Sequence, residues 1–128
     1  MSDNSIEHLD VVVVGAGFAG MYAVYRANKD NRSVKCFEAG TDVGGTWYWN
    51  RYPGARVDIE CMEYSYSFDE ALQQEWEWTE RYAGQDEILN YAKHVAERYN
   101  LRDHMQFETR VESAIFNEET QRWEVKTN

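Results

Sequence analysis

Four valines, Val11–Val14, run directly into Gly15-Ala16-Gly17-Phe18-Ala19-Gly20, and no other stretch restricts the fold as much. The β-branched run reads as a short strand buried on both faces. The glycines then have separate tasks. Gly15 permits a tight turn, Gly17 lets a pyrophosphate approach the backbone, and Gly20 lets the following helix pack close to the strand. The helix starts near Phe18, so its free amides and positive dipole end face the phosphates. A polar turn over 29–32 leads to a second strand, Ser33 to Glu38, parallel to the first because a helix joins them. Glu38 closes the unit at the spacing of a ribose ligand. Its carboxylate would repel a 2′-phosphate, which disfavours NADP at this site. A glycine-rich turn in an ordinary α/β unit explains one of these glycines, not all three.

Charge narrows the partners. The net charge is −10, and residues 61–128 carry −8 of it. Such acidity argues against nucleic acid or an anionic membrane. It also means that cofactor phosphates must be held by local amides, since the overall field repels them. Two cysteines make no disulfide framework. Cys36 reads as a core residue of the second strand and Cys61 as a structural thiol. The first ten residues hold no basic region followed by an apolar run, and no apolar run approaches spanning length, so a cytoplasmic setting is expected.

Along the chain, residues 1–8 read as a disordered tail and 9–128 as one unit. On the first helix, Phe18, Ala19, Tyr22, Ala23 and Arg26 mark the turns. Residues 39–60 hold four of the eight glycines, the only proline and the triplet Trp47-Tyr48-Trp49. Neither helical nor strand periodicity survives there, so a long ordered loop is expected, and such loops are usually functional. Trp47 and Trp49 could stack on a flat ring, and Arg51 and Arg56 could meet anions. Residues 61–84 suggest short extended pieces around a helical turn near Asp69 to Gln74. Gln85 to Tyr99 is a clear helix with acids at its start and an apolar stripe through Ile88, Tyr91, Ala92, Val95, Ala96 and Tyr99. His94 and His104 have no partner at metal-ligand spacing. Met105 to Phe107 reads as a third strand, and 110–116 with 122–127 as a hairpin.

The segment from Gly44 to Asp58, GGTWYWNRYPGARVD, resembles the signature of Baeyer–Villiger monooxygenases: a small residue, Gly, any, Trp, four residues, Phe or Tyr, Pro, Gly or Met, three residues, Asp. Every fixed position is matched. The stretches YSYSF and EWEWTERYAGQDEI resemble the same enzymes, and the likeness covers residues 9–128. It implies an α/β, Rossmann-like FAD-binding fold that starts as a parallel β-α-β unit, ends in an antiparallel hairpin and forms part of a domain. It implies FAD and NADPH as cofactors, and a ketone and O₂ as substrates, with an ester or lactone as product. By resemblance, Gly15, Gly17, Phe18 and Ala19 lie along the FAD pyrophosphate, Gly20 belongs to the same cofactor-binding turn, and Glu38 holds the adenosine ribose. Gly45, Thr46, Trp47 and Trp49 contact the flavin side, Tyr64 touches FAD, and Val111 meets the adenine through its backbone. Arg56, Val57 and Asp58 face the nicotinamide side.

Asp58 is the candidate catalytic support. In the family an aspartate here orients an arginine that stabilises developing negative charge. No such arginine is identifiable in this chain. The competing role for Asp58 is a helix N-cap before Ile59 to Met62. Family members are several times longer, and neither their second glycine motif nor their histidine-containing fingerprint occurs here. The chain is therefore expected to be the N-terminal part of a larger enzyme, with the rest of that polypeptide as its partner, and to be inactive alone. Competing readings are an N- or S-oxidising flavin monooxygenase and a non-catalytic dinucleotide-binding fragment.

Overall fold

A computed structural model describes residues 6–128. The expected tail therefore lies outside the described residues up to position 5. Residues 6–8 are exposed and irregular, yet Glu7 pairs with Lys35 at 2.7 Å.

Strand β1 (Val11–Val14), helix α1 (Phe18–Lys29) and strand β2 (Val34–Phe37) form the expected parallel unit, with Val11 opposite Val34 and Val14 opposite Phe37. The register is pinned at its start by a reciprocal pair. The Asp10 amide donates to Ser33 Oγ at 2.7 Å, and the Ser33 amide donates to Asp10 Oδ2 at 2.9 Å. The bond from the Ser33 amide, with a smaller contribution from its hydroxyl, holds the Asp10 carboxyl below its usual range. A short β3 (Met105–Gln106) adds to β2, again parallel, giving the order β1-β2-β3. Strands β4 (Val111–Asn117) and β5 (Arg122–Thr127) make a separate antiparallel hairpin.

Three expectations about packing need correction. The valine strand is not buried on both faces: Val13 is buried, but Val14 is 65% exposed because β1 stands at the sheet edge among the described residues. Helix α1 turns Met21, Val24 and Ala27 inward, not the stripe through Tyr22 and Arg26. Tyr22 and Tyr25 instead pack on Phe68, with ring centroids 5.3 and 4.3 Å apart, and build an aromatic layer along the helix flank. The loop over 39–60 contains one helical turn, α2 (Thr46–Trp49), entered from Gly45 at φ 55°. Four residues are too few to show a period, so no pattern could signal it.

Helix α3 (Glu70–Glu75) is capped by Asp69, whose side chain accepts from the Ala71 amide at 2.9 Å. Helix α4 (Gln85–Arg98) carries Asp86 and Glu87 in its first turn and buries Ile88, Leu89, Tyr91, Ala92, Val95 and Ala96. It joins two apolar clusters: one under the sheet around Met21, Val24 and Cys36, the other around Trp47, Val57 and Cys61. Each fully buried large apolar side chain here contributes about 1.5–3 kcal/mol. No helix among the described residues is long and apolar enough to cross a membrane.

Candidate functional site

The site is a cleft of about 520 Å³ at the carboxyl ends of β1 and β2. Open α/β sheets bind ligands at this edge. Gly15, Gly17, Glu38, Gly45, Thr46, Trp49 and Val111 line it, so the structure brings seven of the sequence-selected residues together. A larger hollow, about 640 Å³, lies between β1 and the hairpin, but no glycine turn reaches it.

The glycines behave as three different constraints. Gly15 sits at φ 94°, a conformation that L side chains rarely adopt. A Cβ on Gly20 would lie 1.8 Å from the Gly15 carbonyl oxygen, so only glycine lets α1 start this close to β1. Gly17 and Gly45 touch each other. A Cβ on Gly45 would fall 2.8 Å from Gly17 Cα. The aromatic loop thus rests directly on the glycine turn, and the Gly44 amide ties it there by donating to the Ala16 carbonyl at 3.0 Å. Helix geometry leaves the first-turn amides of Phe18 and Ala19 without intrahelical acceptors, as an anion site requires.

Glu38 is 5% exposed and faces this turn. Its Oε1 accepts from the Ala16 amide and its Oε2 from the Gly40 amide, each at 2.7 Å. Its backbone works as well: the amide donates to the Gln106 carbonyl, and the carbonyl accepts from the Thr109 amide, both at 3.0 Å. A buried carboxylate is costly unless hydrogen-bonded. Two backbone donors satisfy half of its acceptor sites and leave others for ligand hydroxyls.

The remaining candidates do not line the cleft. Phe18 turns its ring into the core, where it stacks on Tyr66 at 5.2 Å, and Tyr66 donates its hydroxyl to the Phe18 carbonyl. Ala19 is exposed on the first turn of α1. Trp47 is buried, and its Nε1–H donates to the Tyr64 hydroxyl at 2.9 Å, so both rings serve the second apolar cluster. Arg56 pairs with Glu80 at 3.1 Å, and the Val57 amide donates to the Ala83 carbonyl at 3.1 Å. Asp58 is exposed, and turns rather than a helix follow it, so the N-cap role is set aside. Trp49, 59% exposed, lines the opening, as does Phe37 at the end of β2.

Sequence reasoning missed Thr109 and Arg110, which also line the cleft. Thr109 is buried beside Glu38. The signal was available: a residue just past a third parallel strand must lie at the same carboxyl edge as the acid ending the second.

Comparison with known proteins agrees with this fold. Residues 13–74 match the model of the NAD(P)-binding Rossmann-like domain. The chain is 42% identical over 129 residues to a phenazine N-monooxygenase of Lysobacter antibioticus, covering 100% of this chain and 24% of that protein. It is 44% identical over 119 residues to the cyclohexanone 1,2-monooxygenase of an Acinetobacter species, covering 92% of this chain and 22% of that one. A solved steroid monooxygenase bound to NADP superposes with a TM-score of 0.92 at 57% identity, covering 94% of this chain and 23% of the other. The chain is homologous to the N-terminal part of Baeyer–Villiger and related flavin monooxygenases. It spans about a quarter of the length of the curated relatives it matches.

This homologous segment holds two cysteines, both buried and free. Burial, with the Glu38 charge nearby, pushes the Cys36 thiol up to about 12. Neither cysteine lines the cleft.

Proposed function

We propose that this chain is the FAD-binding portion of an NADPH-dependent monooxygenase that inserts one oxygen atom next to a ketone carbonyl. The observation that carries the reading is Glu38: a buried carboxylate, fixed by two backbone amides, at the floor of a cleft edged by the glycine turn. These residues fit an adenine dinucleotide. The turn at Gly15–Gly17 and the start of α1 would take the pyrophosphate, and Glu38 the ribose hydroxyls. Gly45, Thr46 and Trp49 would border the flavin side. The acid disfavours a 2′-phosphate, so NADPH would bind through other parts of the polypeptide.

When bound, FAD supplies the redox chemistry that lets NADPH and O₂ oxidise a ketone. The chain's own contribution is positional. The Ala16 and Gly40 amides aim Glu38, and the contact between Gly17 and Gly45 sets the aromatic loop against the turn. Asp58, exposed in this segment, would orient an arginine contributed by the rest of the enzyme and so support the stabilisation of negative charge. The setting proposed is cytoplasmic.

The test uses the complete polypeptide that carries residues 1–128. The purified protein should be yellow, with flavin absorbance at about 450 nm, and should convert a cyclic ketone to a lactone with NADPH and O₂. Residues 1–128 alone should give no lactone. A colourless complete protein that takes up NAD refutes the reading. One observation favours a second reading: the phenazine N-monooxygenase matches the whole chain. An aromatic N-heterocycle oxidised in preference to the ketone would decide for nitrogen.

A further inference from the structure

The cleft is poor in cations, and one residue stands out against that background. Among the residues lining it, Glu38 is the only acid and Arg110 the only base. Arg110 is exposed, and its guanidinium takes part in no ion pair or hydrogen bond among the described residues. Its backbone, by contrast, is fully committed. The Arg110 amide donates to Asn128 Oδ1 at 2.9 Å, and its carbonyl accepts from the Asn128 amide at 3.1 Å. One residue earlier, the Thr109 amide donates to the Glu38 carbonyl at 3.0 Å. A free guanidinium thus stands on a fixed backbone, one residue from a direct bond to the ribose acid.

The order across the cleft decides what it meets. Glu38 touches Ala16 of the glycine turn through its side chain and Thr109 through its backbone. Phosphates over the turn and a ribose at Glu38 therefore leave the base of the dinucleotide on the Thr109–Val111 side. The geometry points to Arg110 as an adenine-covering residue: its planar guanidinium stacks on the base and closes the open side of the cleft. This inference rests on the FAD reading above and adds a residue that recognises the base rather than the phosphates.

Variants Arg110→Ala, Arg110→Lys and Arg110→Phe of the complete polypeptide test this by FAD titration at low and high salt. Arg110→Ala should weaken FAD about fivefold at high salt, within the range of an exposed cation–π contact, and somewhat more at low salt, where the lost charge is less screened from the pyrophosphate. Arg110→Lys should lose about as much, because an ammonium cannot lie flat on the base. Arg110→Phe should recover most of the affinity without any charge. All three should unfold at the wild-type denaturant midpoint. A lysine variant that binds as tightly as wild type, a defect that vanishes at high salt, or a phenylalanine variant no better than alanine each overturns the stacking role. A wild-type protein that takes up no FAD removes the FAD reading itself, whereas wild-type uptake with an unchanged alanine variant removes only the role of Arg110.

Discussion

At the scale of single residues, Glu38 and the glycines shape the proposed site. Glu38→Gln replaces one carboxylate oxygen by an NH₂ group that faces a backbone donor, either Ala16 or Gly40. Leaving that buried amide without an acceptor costs about 1–3 kcal/mol. The variant should unfold at lower denaturant and bind FAD more weakly. Gly20→Ala should be worse, about 3 kcal/mol or more, because its Cβ meets the Gly15 carbonyl and α1 must move off β1. Gly54→Ala is the control. It sits at φ 85° in open space, so it suffers backbone strain alone, about 1–2 kcal/mol. Equilibrium unfolding of the two variants side by side measures the difference. The roles of Gly15 and Gly20 were legible in the sequence because they follow from backbone sterics and spacing. The double anchoring of Glu38 was not, because neither Gly40 nor Ala16 announces a donor aimed at a particular side chain.

At the scale of elements, helices α3 and α4 are joined by a surface clasp. Glu75 accepts from Arg98 Nε at 2.9 Å and contacts His94 Nε2 at 2.8 Å. The bond from Arg98, with a smaller contribution from His94, holds the Glu75 carboxyl below its ordinary 4.5. A lowered carboxyl stabilises the fold above its unfolded value, and that contribution disappears as pH falls through the folded one. The stability gap between wild type and Glu75→Gln should therefore be full at pH 6 and close progressively below about pH 4.5. Urea unfolding across that range checks it. Helix α4 was readable because fourteen residues display a period. Helix α1 was readable in extent but not in face. Its tyrosines look like core in a one-dimensional pattern, and only the arrival of Phe68 shows that they form a lateral layer. The short turn at Thr46–Trp49 depends on two consecutive positive-φ glycines and on contact with Gly17, which are long-range facts.

At the scale of the whole molecule, apolar surface is divided unevenly. Trp47 is 7% exposed within the second cluster, while Trp123 on the hairpin is 64% exposed. Trp47→Ala should cost about 3–5 kcal/mol, and Trp123→Ala only about 0.5–1.5 kcal/mol, the loss of its cross-strand pair with Phe116, measured by denaturant unfolding. The parallel start and the hairpin end were both legible from strand patterns and turn residues. The lack of pairing between the hairpin and the parallel sheet among the described residues was not, since each strand pattern is satisfied by any partner with the right spacing.

Glu38 ties the first turn, the end of β2 and the β3–β4 connection to one another before any ligand arrives. The walls of the cleft then have little left to order when a dinucleotide enters. Calorimetric titration should accordingly give a heat-capacity change set by the ligand's own contact surface, with no added component from folding of the protein. Uptake would be a docking event, and the lifetime of the complex would be governed by how slowly it lets go.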